Sequence, residues 1–180
     1  ENEKFAFLGE MDQVSDDLYK QALVFVLDSG DDYLVSDERF KNGKYMIRID
    51  HHINKGAWGD YELINSNEIS CASIIADMIF ETKMKLSELG AQALFTGIVT
   101  DSGRFRYDGT SSKTFDIASK LYSYGFDANK LYNNIYVEDI NNVKLRAQLT
   151  LKFNISSNFN FIYNHIFPHY RETHWTEAHL

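Results

Sequence analysis

Cysteine and proline are almost missing from this 180-residue chain: each occurs once, as Cys71 and Pro168. A lone cysteine excludes an internal disulfide and a thiolate-rich zinc cluster. It fits a reducing compartment, so a cytoplasmic protein is expected. Positive charge is also short, with 18 Lys and Arg against 26 Asp and Glu and a formal net charge of −8. Holding long nucleic acid by surface charge needs the opposite balance. A small phosphorylated ligand is not excluded, because a bound metal ion supplies positive charge locally. No apolar run approaches the ~20 residues of a membrane span. The longest, Ala22 to Leu27, has the length of a strand. The charged opening Glu1-Asn2-Glu3-Lys4 lacks signal-peptide character, and the absence of an initiating Met leaves a longer parent protein open.

What is present is an apolar framework, 44% of the residues, whose period changes along the chain. Phe5 to Leu8 reads as a short strand ending at Gly9. Ala22 to Leu27 is continuously apolar and bounded by Asp28-Ser29-Gly30, the pattern of a strand buried on both faces. Tyr45 to Ile49 is a third candidate, running straight into Asp50, and Tyr61 to Ile64 a fourth. Beyond these the spacing is helical. Ile74, Ile75, Met78 and Ile79 form one stripe behind an N-cap at Ser70. Leu94, Phe95, Ile98 and Val99 form another on a helix begun at Ser87. Phe115, Ala118, Leu121 and Tyr122 mark a third, between Ser111 or Ser112 and Gly125. Further helices are predicted from Asp127 through Ile135 and over 139–150. Strands followed by a run of helices predict an α/β domain of three layers, with a mainly parallel sheet flanked by helices.

The chemistry gathers at element ends. Asp28 follows one predicted strand and Asp50-His51-His52 follows another, and ligands of open α/β sheets collect at the carboxyl ends of strands. Asp28 alone could be a turn former with Ser29 and Gly30. Two adjacent histidines behind an aspartate are harder to explain that way, and imidazole with carboxylate suits manganese, iron or zinc. Asp101 closes the helix that carries Leu94 to Val99, where the helix dipole disfavours an anion by ~0.3–1 kcal/mol. A carboxylate there calls for a cation, either Arg104 or a metal. Gly103 permits a sharp turn, and Arg104 and Arg106 offer forked donors for phosphate.

Asp28 behind VFVL, IDHH at 49–52 and TDSGRFRY at 100–107, in this order and spacing, resemble the DHH family of phosphoesterases. Within it the likeness is to the DHH–DHHA1 enzymes that act as nanoRNases and pAp phosphatases. FAFLGE near the start and VSDERF at 35–40 are similar too, and the likeness runs from about Phe5 to Ile155. The resemblance implies that Asp28, His51 and Asp101 are metal ligands, with Asp28 bridging two manganese ions in the parent protein; magnesium or another divalent ion stays open. It implies that Asp50 orients an imidazole, that His52 assists at the scissile phosphate, and that Arg104, with Gly103, approaches a substrate phosphate. The implied activity is two-metal hydrolysis of short oligoribonucleotides or pAp. Cleavage of a cyclic dinucleotide or its linear product is the alternative, as is a binding module without turnover. The implied partners are a short oligonucleotide or phosphorylated nucleotide, with no long nucleic acid and no membrane; association of two copies stays open.

Two family features are missing from the 180 residues. These are the N-terminal motif with a histidine and two spaced aspartates, and the DHHA1 domain with its glycine-rich loop. The chain is therefore expected to divide into an incomplete DHH domain, 1–150, and a segment 151–180 that is a linker, the start of DHHA1 or a non-family tail. As given, it is expected to be nearly inactive. Cys71 stands where the family commonly has Thr after Ser70, and ordinary N-capping is the expected role of this segment. The tail holds His165, His169, His174 and His179, but Pro168 breaks the helical spacing between the first two. A frayed or foreign terminus is the expectation there.

Overall fold

The computed structural model describes residues 3–53, 56–152, 154–155 and 162–163. The tail histidines, and most of the segment 151–180, lie outside the described residues.

The chain divides into two compact units, 1–135 and 136–180. In the first, a three-stranded sheet is built from β1 (Leu23–Leu27), β2 (Tyr45–Asp50) and β3 (Tyr61–Ile64). The order is β1-β2-β3 and both pairings are parallel. The register sets Leu27 beside Ile49 and Ile49 beside Leu63. Five helices belong wholly or mainly to this unit: α1 (Asp16–Tyr19), α2 (Cys71–Thr82), α3 (Glu88–Asp101), α4 (Ser112–Tyr122) and α5 (Ala128–Tyr136). The fold is thus α/β, with a parallel sheet flanked by helices, as the changing period predicts. The second unit contains α6 (Ile140–Leu151) and the antiparallel pair β4 (Asn154–Ile155) and β5 (Ile162–Tyr163).

The helix starts follow from their capping residues. Ser70, Ser87 and Asp127 each accept a hydrogen bond from a backbone N–H three residues on, and Ser111 forms a reciprocal box with Thr114. Each cap satisfies a donor that the helix leaves unpaired, worth about 0.5–2 kcal/mol. The apolar stripe of α2 then lies on β2, where Cys71, Ile74, Ile75 and Met78 cover Ile47 and Ile49. Gly97 lets α3 come close to α2, since a Cβ there would stand 2.7 Å from that of Ala72. Ile98, Val99, Ile117, Leu121, Leu131 and Ile135 are almost fully buried. Each such side chain contributes about 1.5–3 kcal/mol relative to exposure.

Two expectations are corrected. Phe5 to Leu8 belongs to a 3-10 helix, Glu3–Leu8, closed by a hydrogen bond from Gly9 N–H to the Ala6 carbonyl. Among the described residues it has no neighbouring strand, so its backbone pairs locally. Nor is β1 buried on both faces: Leu23, Phe25 and Leu27 are 51, 48 and 47% exposed, and only Val26 is buried. The cause is position. In the described sheet β1 is an edge, while α2 lies over β2.

Candidate metal centre

Parallel pairing brings the ends of β1 and β2 level, so Asp28 and the Asp50-His51-His52 triplet emerge side by side. The N–H of Asp28 still donates to the Ile49 carbonyl at 3.0 Å, the last link of the ladder. There the chain turns: Asp28 adopts φ 57°, a left-handed conformation that aspartate tolerates better than most residues. Its carboxylate then lies 3.3 Å from His51 Nε2. One nitrogen or carboxylate oxygen from each of Asp28, His51 and His52 lies within 4.8 Å of the other two.

His51 is held from behind, because its Nδ1 lies 3.3 Å from the Glu68 carbonyl. Nδ1–H donating there leaves the Nε2 lone pair facing the Asp28 carboxylate. Two acceptors at that separation call for a cation between them. The same pairing shows in the titration of the ring: the Asp28 carboxylate raises the His51 pKa above its ordinary value against the opposing effect of burial, and the charge of Asp101 adds to the rise. Glu68 is itself fixed, its carboxylate accepting from Ser73 and pairing with Lys113, which also pairs with Asp77 at 2.7 Å.

Asp50 is not one of the three-residue group but buttresses it, and it has no solvent exposure. Its Oδ1 accepts from the backbone N–H of His51 at 2.8 Å and of His52 at 3.2 Å, and from His52 Nδ1 at 2.7 Å. Its Oδ2 pairs with Arg48 at 2.9 Å. Burial pushes the Asp50 carboxyl up, but the hydrogen bonds from His52 and Arg48 outweigh it and hold the group below the ordinary value. It is an ionised support for the His52 ring, which packs edge-to-face on His51 with centroids 4.7 Å apart.

Asp101 is the last residue of α3. It lies within electrostatic reach of Asp28, His51 and His52, though outside their close group. Burial raises its pKa, the Asp28 charge raises it further, and the two histidines offset only part of this. Behind the site, burial also pushes the Cys71 thiol up to about 12, so it is inert at neutral pH; it donates to the Ile49 carbonyl.

The turn after Asp101 is unusual. Gly103, Arg104 and Phe105 have φ of 54°, 65° and 62° in succession. Gly103 is required on two counts, since a Cβ there would stand 2.5 Å from the Tyr107 ring. Arg104 is exposed, and its backbone N–H closes α3 on the Val99 carbonyl at 2.8 Å. Arg106 Nε donates to the Gly103 carbonyl at 2.9 Å.

Sequence reasoning overlooked Arg48 and Glu68. An Arg two residues before the triplet reads as the outward position of an alternating strand, yet it is fully buried. The useful part of Glu68 is a backbone carbonyl, which carries no residue signal.

No family model matches the chain. It is 42% identical over 122 residues to the "Probable bifunctional oligoribonuclease and PAP phosphatase NrnA" of Streptococcus mutans, a match covering 68% of this chain and 39% of that protein. It is 32% identical over 156 residues to the "Bifunctional oligoribonuclease and PAP phosphatase NrnA" of Bacillus subtilis, covering 85% of this chain and 50% of that one. The chain thus spans half or less of the length of these relatives. Among solved structures, an exopolyphosphatase-related protein from Bacteroides fragilis superposes with a TM-score of 0.73 at 22% identity, over 82% of this chain and 45% of that one. The fold agrees there, and the sequence relatives carry the rest: the chain belongs to the DHH family of phosphoesterases.

Proposed function

We propose that the chain contributes a divalent-metal centre, in which Asp28, His51 and Asp101 are ligands, to a hydrolase of short oligoribonucleotides or 3′,5′-bisphosphorylated adenosine. The observation that carries this reading is the meeting of Asp28, His51 and His52 within 4.8 Å, with the strained charge of Asp101 beside them. The donor set fits manganese: hard carboxylate oxygens with one or two imidazoles, and an excess of negative charge at neutral pH. The names of the two sequence relatives support the substrate class.

When bound, such an ion lowers the pKa of water and polarises phosphoryl oxygens. The remaining work falls to the protein. Glu68 fixes the His51 ring so that Nε2 faces the site. Asp50 holds Nδ1 of His52, leaving Nε2 as the atom able to pass a proton to a departing oxygen. Arg104, on the turn after Asp101, is the proposed partner of a substrate phosphate, with Gly103 shaping its approach.

The test is to offer the parent protein that carries this chain a diribonucleotide, pAp and a cyclic dinucleotide in manganese, magnesium or zinc, beside its His51→Ala and Asp101→Ala variants. Manganese-dependent release of mononucleotide, or of AMP from pAp, that both substitutions abolish is the expected result. Turnover confined to the cyclic dinucleotide favours the alternative substrate class. Activity indifferent to His51 and Asp101 would sink the site assignment.

A further inference from the structure

The guanidinium of Arg48 has no part in the proposed chemistry, yet it is the most heavily bonded side chain near the site. It is fully buried in the middle of β2, on the face opposite Ile47 and Ile49. Nε donates to the Ser29 carbonyl at 3.0 Å, and Nη2 to the Gly30 carbonyl at 3.1 Å and to Asp50 Oδ2 at 2.9 Å. Nη1 reaches the Gly56 carbonyl at 3.3 Å and Glu62 Oε1 at 3.4 Å, and the fork lies 4.8 Å from the centre of the Trp58 ring.

A structural ion pair needs one carboxylate, and Glu62 or Asp50 alone would serve. Here a single planar group joins both pieces of backbone that present the metal-facing side chains. The carbonyls of Ser29 and Gly30 immediately follow Asp28 and fix the turn that keeps Asp28 left-handed. Asp50 Oδ2 is the far side of the carboxylate whose Oδ1 holds the His52 ring. A lysine carries the charge but cannot present five donors in a plane to carbonyls and a carboxylate at once.

We propose that Arg48 is a positioning residue of this centre, setting the Asp28 turn and the His52 ring in one mutual geometry through the Ser29–Gly30 carbonyls and Asp50. The inference rests on the metal-centred reading only for its metal readout; the ring readout stands without it.

The experiment compares the wild-type chain with Arg48→Lys and Arg48→Met. Long-range proton–nitrogen NMR reads the histidine tautomers, and paramagnetic resonance follows titration with manganese alone. Wild type is expected to show His52 as a single tautomer with its proton on Nδ1. Arg48→Lys, folded by circular dichroism, should show His52 averaged between tautomers and a manganese affinity about 10- to 100-fold weaker, as for loss of a group that orients a ligand. Should Arg48→Met lose its fold, the lysine variant carries the result alone. A folded Arg48→Lys protein with the wild-type His52 tautomer overturns the proposal, whatever its metal affinity. Loss of that tautomer in a chain whose wild type takes up no manganese upholds the positioning role and removes the metal reading instead.

Discussion

Asp101 meets three unfavourable influences at once: the end of a helix dipole, partial burial and the neighbouring charge of Asp28. Its pKa is raised on folding, so the folded protein binds this proton more tightly than the unfolded chain does. The sign follows: folding stability falls as pH rises through the interval between the unfolded and folded values, and at neutral pH the ionised group is a net cost. Asp101→Asn removes that cost. The variant without metal should be at least as stable as wild type at pH 7, by urea denaturation. Wild type in manganese at about 100 times its Kd should gain about 2.7 kcal/mol, and the variant should lose most of this gain. An unstable metal-free variant with an unchanged response to manganese would contradict the assignment. The place of Asp101 at the end of α3 was legible because it follows from spacing alone. The burial of Arg48 was not, because alternation along β2 says which face a residue takes but not that Trp58, itself packed on Phe40, lies against it there.

Among the elements, the turn that follows α3 makes the strongest demand on its sequence. Gly103 and Gly125 both follow helices with positive φ, but only Gly103 lies under an aromatic ring, while the space at Gly125 is open. Gly125→Ala should therefore cost about 1–2 kcal/mol, the left-handed penalty alone. Gly103→Ala should exceed it, because the Tyr107 ring must also move; equal denaturation midpoints would show that the ring yields freely. The turn at 37–39 gives a pH dependence. Arg39 bonds Asp37 with side chain and backbone, and these bonds with Tyr19 hold the Asp37 carboxyl far below its ordinary value. A depressed pKa contributes stability above the unfolded value near 3.8 that is lost as pH falls through the folded one. Wild type should thus exceed Asp37→Asn in denaturation midpoint at pH 6, with the gap narrowing steadily below about pH 4. A gap that persists undiminished at pH 2 would assign it to packing. Helices α2 to α5 could be placed from caps and stripes, which are local signals. Phe5 to Leu8 could not, because a four-residue apolar run becomes a strand only where another strand lies alongside.

At the scale of the whole molecule, the apolar pattern determined the fold class but not how completely each strand is covered. The run Leu23 to Leu27 promised two buried faces, and its exposure depends on what stands beside β1, which a strand's own residues do not encode. Charge is different, because it sums over the chain without reference to fold. A net charge of −8 sets the molecule against polyanions at long range, while a metal centre attracts one phosphate at short range. The two effects separate by substrate length. Single-stranded RNA held along a basic surface shows a log–log salt slope of about −0.7 for each phosphate neutralised. A 20-nucleotide RNA touching six or more lysines and arginines would therefore give a slope of roughly −4. With manganese kept constant, this chain should instead bind the 20-mer weakly and with a slope no steeper than about −1.4, the value for one or two arginines of the Gly103–Tyr107 turn in the phosphate-binding role proposed for Arg104. On the proposed function, in which a single phosphate occupies the centre, a dinucleotide should bind with nearly the same affinity as the 20-mer. Fluorescence anisotropy between 50 and 300 mM salt measures both quantities. A steep slope together with affinity that grows with length would show a continuous basic track despite the acidic total, and would return long nucleic acid to the list of partners.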